Sequence, residues 1–543
     1  MSDFYDELKS HTGRHYRAPF LDLVRVFSIH RDRAAIRLKR AVRPLFAGYV
    51  DGVFRSHWRD NMRISGVLLI VCLVVAPVAT AGNLTEKNQQ KTDKVIAKLV
   101  EAYGGAATLD QIDSLTVVHS NEFVAVGQSR KPEPPWDTSV GNGTTAIDLD
   151  DQRLVVINKG SGNGFEFHNA TLINAADSFE LDYRAGLARP IEAPDFAGSA
   201  GPFIRVTPVL LVQALREHAR TAHYLGVTDL EERPHHVVRF AMASGPAISL
   251  YVDQETALIT HSERIVPGFG LIEYDFADYE TIEGIPFNRT FVLHQAGDLS
   301  MKRKNIDVTV NSPVAPLLVV DRSLEMTAPL PPDPMSLQTL ADGVHLIGGN
   351  GTYGLFVEME DHVIAVGGVG GVDARMAELE AVTDKPVRYG VLTHHHSDHI
   401  MAVPAYAAMG ATVVAARAHQ KAVAETVEAD TLNIKTVKKK LDLSDDSRRV
   451  VVLDIGPTPH SEHLLVTWLP DEKILFEADH FSMPRSGPVP PAIDSTREFA
   501  AALDRLGLDP RYIVSAHSPR PGTMADLRLA LETPVASEPV AQR

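Results

Sequence analysis

The sequence Thr393-His-His-His-Ser-Asp-His-Ile400 is the most informative segment of this chain. It contains the pattern His394-x-His396-x-Asp398-His399, which places ligand-type imidazoles and a carboxylate close together. Side chains at alternate positions of an extended segment can bind one metal ion, and the adjacent Asp-His pair can reach a second ion. The pattern therefore predicts a metal site whose remaining ligands lie downstream.

Further residues of ligand type follow predicted strands later in the chain. Because loops at one edge of a sheet converge on a rigid scaffold, residues distant in sequence can meet there. The candidates divide into two groups and one bridging residue, namely His394, His396 and His460 for the first ion, Asp398, His399 and His517 for the second ion, and Asp479 between the ions. Each ion keeps a vacant position, which favours a catalytic rather than a structural site.

These segments resemble the metallo-β-lactamase-fold hydrolases in order and approximate spacing, over about residues 340–530. The segments that resemble the family are His394-x-His396-x-Asp398-His399, Pro459-His460-Ser461, Glu477-Ala478-Asp479 and Ala516-His517. The resemblance implies an αββα sandwich with a dinuclear site at one edge. It also implies two Zn²⁺ ions, with iron or manganese as alternatives, that activate a bridging hydroxide oriented by Asp398 as the catalytic group.

The implied activity is hydrolysis of an ester, lactone, thioester or amide. With a bridging aspartate at Asp479, the predicted site is similar to those of glyoxalase II, lactonases and phosphodiesterases rather than to those of the true β-lactamases. Two alternatives stay open: an iron oxidoreductase of the same fold with one metal ion, and a lipid-binding carrier or sensor in which the metal domain is secondary. The substrate itself is a small molecule that the sequence does not identify.

Several positions leave the ligand set or its surroundings open. The loop Val366–Gly371 lacks the aspartate that the family commonly has there, which predicts a different loop geometry or metal affinity. His463 is the alternative to His460 as a ligand, and we favour His460 because its distance to the following strand fits the family pattern. His395 and His480 are expected to point away from the ions.

Composition limits the class of protein. The chain has 543 residues, of which 44% are hydrophobic and 22% charged, so two folded domains are expected. The net charge of −16 argues against general nucleic-acid binding. The single cysteine, Cys72, excludes a disulfide framework and a thiolate metal site.

The apolar run Ile64–Ala81 predicts export. Residues 62–81 resemble a signal peptide with cleavage after Ala81, because the run ends in the small-x-small pattern Ala79-Thr80-Ala81. The alternative is a membrane anchor whose arginine-flanked side stays cytoplasmic, which would associate residues 64–81 with the membrane. Either interpretation predicts a periplasmic or secreted protein, or one anchored in the inner membrane and facing outward. The basic extension 1–61 is interpreted as upstream of the true start or as a cytoplasmic tail.

The remaining domain boundaries follow changes of pattern. Residues 90–315 combine an opening helix with many short alternating strands, which predicts a curved, mostly antiparallel β half-barrel. The opening helix is expected to stop at Gly104-Gly105. Together with the segments Tyr251-Val-Asp-Gln-Glu-Thr256 and Tyr279-x-x-Ile282-x-Gly284-Ile285-Pro286, it loosely resembles the half-barrel domains related to lipoprotein carriers and sorting factors, over roughly residues 92–312. We expect a Pro-rich linker at residues 316–336, a metallo-β-lactamase-fold domain at 337–532 and a disordered tail at 533–543. The predicted fold class is therefore α+β.

Overall fold

The structure, a computed structural model, describes residues 65–427 and 432–536, and describes side chains from residue 83 onward. The predictions for the extension 1–61, for the side chains of 62–81 and for most of the tail 533–543 lie outside these residues. Among the helices whose side chains are described, none is long and apolar enough to cross a bilayer. From Val95 onward the described chain forms one compact unit.

The helices lie at the start of the N-terminal domain, in the middle of its sheet and between the strands of the C-terminal domain. In chain order they are α1 (Ser65–Ala102), α2 (Ala106–Leu109), α3 (Phe196–Arg205), α4 (Pro208–Glu217), α5 (Val372–Leu379), α6 (Val403–Ala408), α7 (Gln420–Ala424), α8 (Asp494–Leu506) and α9 (Met524–Glu532). Helix α1 ends where Gly104 and Gly105 adopt positive φ angles, as the Gly-Gly pair predicts.

The N-terminal domain is one sheet of 14 strands, which are antiparallel except for the pairing of its last strand. The strands are β1 (Ser114–Val124), β2 (Thr138–Asp148), β3 (Arg153–Gly162), β4 (Phe165–Ile173), β5 (Phe179–Asp182), β6 (Leu187–Pro190), β7 (His223–Leu230), β8 (Arg233–Phe240), β9 (Ile248–Asp253), β10 (Ile259–Val266), β11 (Gly270–Ile282), β12 (Ile285–Gln295), β13 (Asp298–Val310) and β14 (Glu325–Met326). The predicted antiparallel β domain is thus present.

The core of this domain lies between the sheet and the helices. Leu99 and Tyr103 of the α1 end, and Leu211 of α4, pack with Phe240 and Phe291 on the inward face of the sheet. Alternate strand residues point to this face, which explains the period-two pattern of the sequence. The inward face of the sheet is therefore packed against helices in this region.

The predicted linker 316–336 also contributes to the sheet. Glu325 and Met326 of β14 pair in parallel with Leu187 and Ala188 of β6. The backbone nitrogen of Thr327 then donates to the Ala188 carbonyl at 2.9 Å. The segment therefore runs along the sheet edge before the C-terminal domain begins.

The C-terminal domain is an αββα sandwich, as predicted. Its first sheet contains β15 (Ser336–Ala341), β16 (Val344–Gly349), β17 (Thr352–Glu358), β18 (Val363–Val366), β19 (Val387–Val391), β20 (Thr412–Ala416) and β21 (Asn433–Val437). Its second sheet contains β22 (Lys440–Asp442), β23 (Val451–Asp454), β24 (Leu465–Leu469), β25 (Ile474–Glu477) and β26 (Tyr512–Ser515). Leu355, Val391, Val452 and Phe476 from the two sheets share one core.

Separate clusters of buried side chains fix the outer helices of this domain. Val403 and Tyr406 of α6 pack on the outside of the first sheet. Phe499 and Leu503 of α8 pack on the outside of the second sheet. The two sheets are therefore held face to face, and their ends carry the loops with the predicted ligands.

Candidate metal centre

The His-rich motif lies on the loop that follows the parallel strand β19. The backbone holds this loop at the sheet edge, since Leu392 donates to the Val414 carbonyl at 2.9 Å and Leu465 donates to the Thr393 carbonyl at 2.7 Å. The loop then closes in a 3-10 turn, Ser397–His399. The turn points both the carboxylate of Asp398 and the ring of His399 to the same side as the earlier histidines.

The structure brings the first group together. His394, His396, His460 and Asp479 each offer a ligand atom, and these atoms all lie within 4.8 Å of one another. The Nε2 atoms of His394 and His460 are 3.1 Å apart. Asp479 Oδ2 lies 3.2 Å from His394 Nε2 and 3.1 Å from His460 Nε2. All four side chains are buried or nearly so.

The second group lies beside the first and shares Asp479 with it. Asp398, His399 and His517 also have ligand atoms within 4.8 Å of one another, and the Nε2 atoms of His399 and His517 are 3.3 Å apart. Asp479 Oδ2 is 3.1 Å from His399 Nε2, and its Oδ1 is 2.8 Å from His517 Nε2. The Asp479 carboxylate therefore lies between the groups, in the position that the sequence assigned to a bridging residue.

The outward-facing nitrogens of four of these rings contact backbone carbonyls. The pairs are His396 Nε2 with Ser129 O at 2.9 Å, His399 Nδ1 with Gly367 O at 3.4 Å, His460 Nδ1 with Asn163 O at 3.4 Å, and His517 Nδ1 with Gly351 O at 3.2 Å. A carbonyl only accepts, so each outward nitrogen carries a proton, and the inward nitrogen of each ring is the atom through which a cation can be bound. Converging lone pairs and carboxylates fit a divalent cation at each group.

Burial and mutual charge keep the first group in a form that binds a cation. Burial, together with the neighbouring His396 and His399, holds the pKa of His394 well below its usual value. Burial and the nearby His460 do the same to the pKa of His396. Both rings are therefore neutral at pH 7, as a metal ligand must be.

The second group depends on its carboxylates. Burial opposes a charge on His399, but Asp479 and Asp398 raise the pKa of that ring to about 9. Burial also opposes ionisation of Asp398, but His399 and a hydrogen bond from Gln128 lower its pKa to about 2. A cation that binds here takes the place of the proton on His399.

The remaining histidines near the motif lie outside both groups. His463 is 41% exposed and pairs with Asp454 at 2.7 Å, whereas His460 belongs to the first group. His395 contacts His419, with Nδ1 and Nε2 3.2 Å apart, and His480 Nε2 lies 3.0 Å from Thr458 Oγ1. The structure thus places His460, rather than His463, with the ligands.

Sequence reasoning missed the contacts that reach the centre from the N-terminal domain. Gln128, Ser129 and Asn163 touch Asp398, His396 and His460, respectively. They lie more than 230 positions upstream of His394 and match no motif themselves. Two of the contacts use backbone carbonyls, which any residue type provides, so the sequence contains no signal for them.

Comparison with known proteins agrees with this geometry. Residues 350–517 match the family model described as the metallo-beta-lactamase superfamily. No curated protein matches the chain.

Several solved structures are similar. A metallo-beta-lactamase from Pontibacter korlensis is 18% identical, over 36% of this chain and 97% of that chain, with a TM-score of 0.30. The metallo-beta-lactamase FIM-1 from Pseudomonas aeruginosa, in its mono-zinc form, is 20% identical over 37% of this chain and 95% of that chain, with a TM-score of 0.30. Rubredoxin oxygen:oxidoreductase from Desulfovibrio gigas is 20% identical over 36% of this chain and 59% of that chain, with a TM-score of 0.31. The family model matches residues 350–517, and this segment contains both groups of candidate ligands. We therefore assign residues 350–517 to the metallo-β-lactamase superfamily.

Proposed function

We propose that this protein is an exported dinuclear zinc hydrolase that cleaves an ester, lactone, thioester or amide bond of a small molecule. The observation that supports the proposal is the position of Asp479. Its two oxygens lie within 3.2 Å of inward nitrogens from both groups, so one carboxylate can serve two ions. Two groups joined by a carboxylate suit hydrolysis by a shared water better than electron transfer at one ion.

The chemistry divides between the metal ions and the protein. Bound divalent ions supply Lewis acidity and lower the pKa of a water molecule toward neutrality. Asp398 has one oxygen, Oδ1, hydrogen-bonded to Gln128 and the other, Oδ2, turned toward His399 and His517. Its low pKa keeps it ionised, so it can accept a hydrogen bond from a water molecule and orient that molecule.

Access and charge favour an uncharged substrate. His517 is 28% exposed, the most open of the ligand side chains with a stated exposure, so substrate enters on the side of the second group. Phe165 is 38% exposed and its ring lies edge-on to His460, with centroids 5.0 Å apart, which places an apolar surface beside the first group. The net charge of −16 gives no long-range attraction to anionic substrates such as phosphodiesters.

The other two hypotheses predict different results. An iron oxidoreductase would contain iron and consume a redox partner. A lipid carrier would need the inward face of the N-terminal sheet, where Leu211 and Phe291 already pack in the core. Export rests on the run Ile64–Ala81, and N-terminal sequencing of the exported protein distinguishes cleavage after Ala81 from a retained anchor.

The test is metal content combined with one pair of variants. Elemental analysis of the full chain should find close to two zinc ions per chain, and His396→Ala should bind less metal and lose hydrolysis by about 100-fold or more. Hydrolysis is followed on a panel containing an acyl-homoserine lactone, a glutathione thioester, a chromogenic cephalosporin and a phosphodiester.

The matched control is His463→Ala, because His463 is close in sequence to the ligands but pairs with Asp454 instead. It should retain metal and activity. Full activity in His396→Ala, or one iron ion in the unmodified chain, would reject the proposed site or its chemistry.

A further inference from the structure

The N-terminal domain reaches the metal centre through one loop. The 125–137 loop joins β1 to β2 and lies against the turn that carries Asp398. The backbone nitrogen of Ser397 donates to the Gly127 carbonyl at 3.0 Å, and His396 Nε2 donates to the Ser129 carbonyl at 2.9 Å. The loop therefore contacts the ligand-bearing segment at several consecutive residues.

Gln128 makes the contact with the most direct effect on a ligand. Its Nε2 donates to Asp398 Oδ1 at 3.0 Å and to Ser397 Oγ at 2.9 Å. The other carboxylate oxygen, Oδ2, lies 3.5 Å from His399 Nε2 and 3.8 Å from His517 Nε2. The amide thus occupies one oxygen of Asp398 and leaves the other directed at the second group.

The loop is held firmly enough to position that amide. Ser129 Oγ donates to the Ala125 carbonyl at 2.9 Å and accepts from the Asp137 nitrogen at 2.8 Å. Arg130 Nε donates to the Thr458 carbonyl at 3.1 Å, close to His460. Asn163, from the turn between β3 and β4, donates to the Gln128 carbonyl at 2.8 Å. The carbonyl of Gln128 and the two residues that follow it are therefore held by hydrogen bonds.

We propose that Gln128 is a positioning residue of the metal centre, supplied in cis by the N-terminal domain, which aims Asp398 at the second metal ion. This inference rests on the proposed function, because it requires an ion at the second group. A neutral amide suits the role, since it orients the carboxylate without competing for the cation. The N-terminal domain then completes the metal centre, and the C-terminal ligands alone do not.

The experiment measures metal affinity rather than turnover. Apo full-length protein is titrated with Zn²⁺ against a chromogenic chelator, and with Co²⁺ while its visible absorption is recorded. The variants are Gln128→Met, which keeps the length and neutrality but lacks the donor, and Gln128→Ala, which also removes the bulk. The matched control is Lys131→Met, on the same loop. The Lys131 side chain is 62% exposed, and its Nζ lies 3.5 Å from Glu462 Oε1.

Both Gln128 variants should weaken the binding of the second ion by about 10- to 100-fold and leave the first ion unchanged. The Co²⁺ absorption of the second equivalent should change in both, and Lys131→Met should behave as the unmodified chain. Unchanged affinity and absorption in Gln128→Met overturns the inference even if Gln128→Ala is weakened, because only packing would then matter. If the unmodified chain binds fewer than two ions, the proposed function fails and this inference fails with it.

Discussion

Position 368 shows how one residue determines whether the ligand turn can form. The glycine loop after β18 packs directly under this turn: Ala402 donates to the Gly368 carbonyl at 3.0 Å, and His399 Nδ1 contacts the Gly367 carbonyl. A Cβ on Gly368 would lie 1.9 Å from the His399 carbonyl oxygen, and the residue has a φ of +70°. The loop that lacks the family's aspartate thus orients His399 with its backbone instead.

Gly368→Ala should therefore damage the metal centre as well as the fold. The positive φ costs about 1–3 kcal/mol for a residue with a side chain. The clash adds to this cost, because the new Cβ and the His399 carbonyl oxygen both belong to or are fixed by the backbone. The control is Gly410→Ala, which has a φ of +72° and no atom within 4 Å of the added Cβ. We expect both variants to lower the melting temperature, but only Gly368→Ala to bind less zinc. Equal metal content in the two would contradict this account.

For single residues, the sequence was enough to predict the candidate metal ligands but not the backbone groups that hold their side chains in place. His394, Asp398 and Asp479 are recognisable because metals need imidazoles and carboxylates at defined spacing. The carbonyls of Gly367 and Ser129 that hold the rings are invisible in a sequence, since every residue has one.

The buried side chains of strand β1 are apolar in its first part and polar in its second part, and a buried histidine in the polar part makes the stability of the sheet depend on pH. Leu115 and Val117 are buried in the core, and His119 and Asn121 continue along the strand as buried polar residues. Arg303 Nε donates to Asn121 Oδ1 at 2.7 Å, so a cation lies close to the histidine. The strand then leads into the 125–137 loop. The polar end of β1 therefore links the core of the sheet to the metal centre.

The pH dependence of stability should report this burial. Burial, followed by the charge of Arg303, lowers the pKa of His119 from 6.5 to about 3. Between these values the unfolded chain binds a proton that the folded chain excludes, so stability falls as the pH falls. Relative to His119→Gln, the unmodified protein should lose about 1 kcal/mol of unfolding free energy between about pH 6 and about pH 5. Urea unfolding at both pH values measures this.

The control for removing a histidine is His223→Gln, at an exposed position of the same sheet. If His119→Gln loses as much stability on acidification as the unmodified chain, His119 is not excluded from protonation in the folded state.

Element positions were predictable wherever periodicity was strong. The short apolar run at 512–515 forms β26, and the segment 496–506, whose apolar residues recur at helical spacing, lies within α8 (Asp494–Leu506). The pairing of β14 with β6 was not predictable, because two residues have no periodicity and a Pro-rich neighbourhood suggests a linker.

For the whole molecule, the sequence separated two domains but did not reveal how they cooperate. A change from alternating strands to strand-helix repeats marks the boundary, because each pattern reflects packing within its own domain. Contacts such as Glu462 donating to the Arg130 carbonyl at 3.0 Å join the domains through backbone atoms and leave no pattern. The metal centre is thus enclosed by a domain that contributes none of its predicted ligands.

This arrangement predicts that metal removal is felt in the N-terminal domain. All candidate ligands belong to the C-terminal domain. The 125–137 loop of the N-terminal domain, however, is hydrogen-bonded to two of them, His396 and Asp398. When a chelator removes the metal, the ligand turn loses the constraint that the bound ions supply, so hydrogen exchange in the loop should become several-fold faster. Strand β7, an edge strand of the same sheet that is separated from β1 by six other strands, is the internal control and should exchange as before. Exchange measured by mass spectrometry with and without zinc decides the question: an unchanged loop means that the two domains are in contact at the centre without being coupled through it.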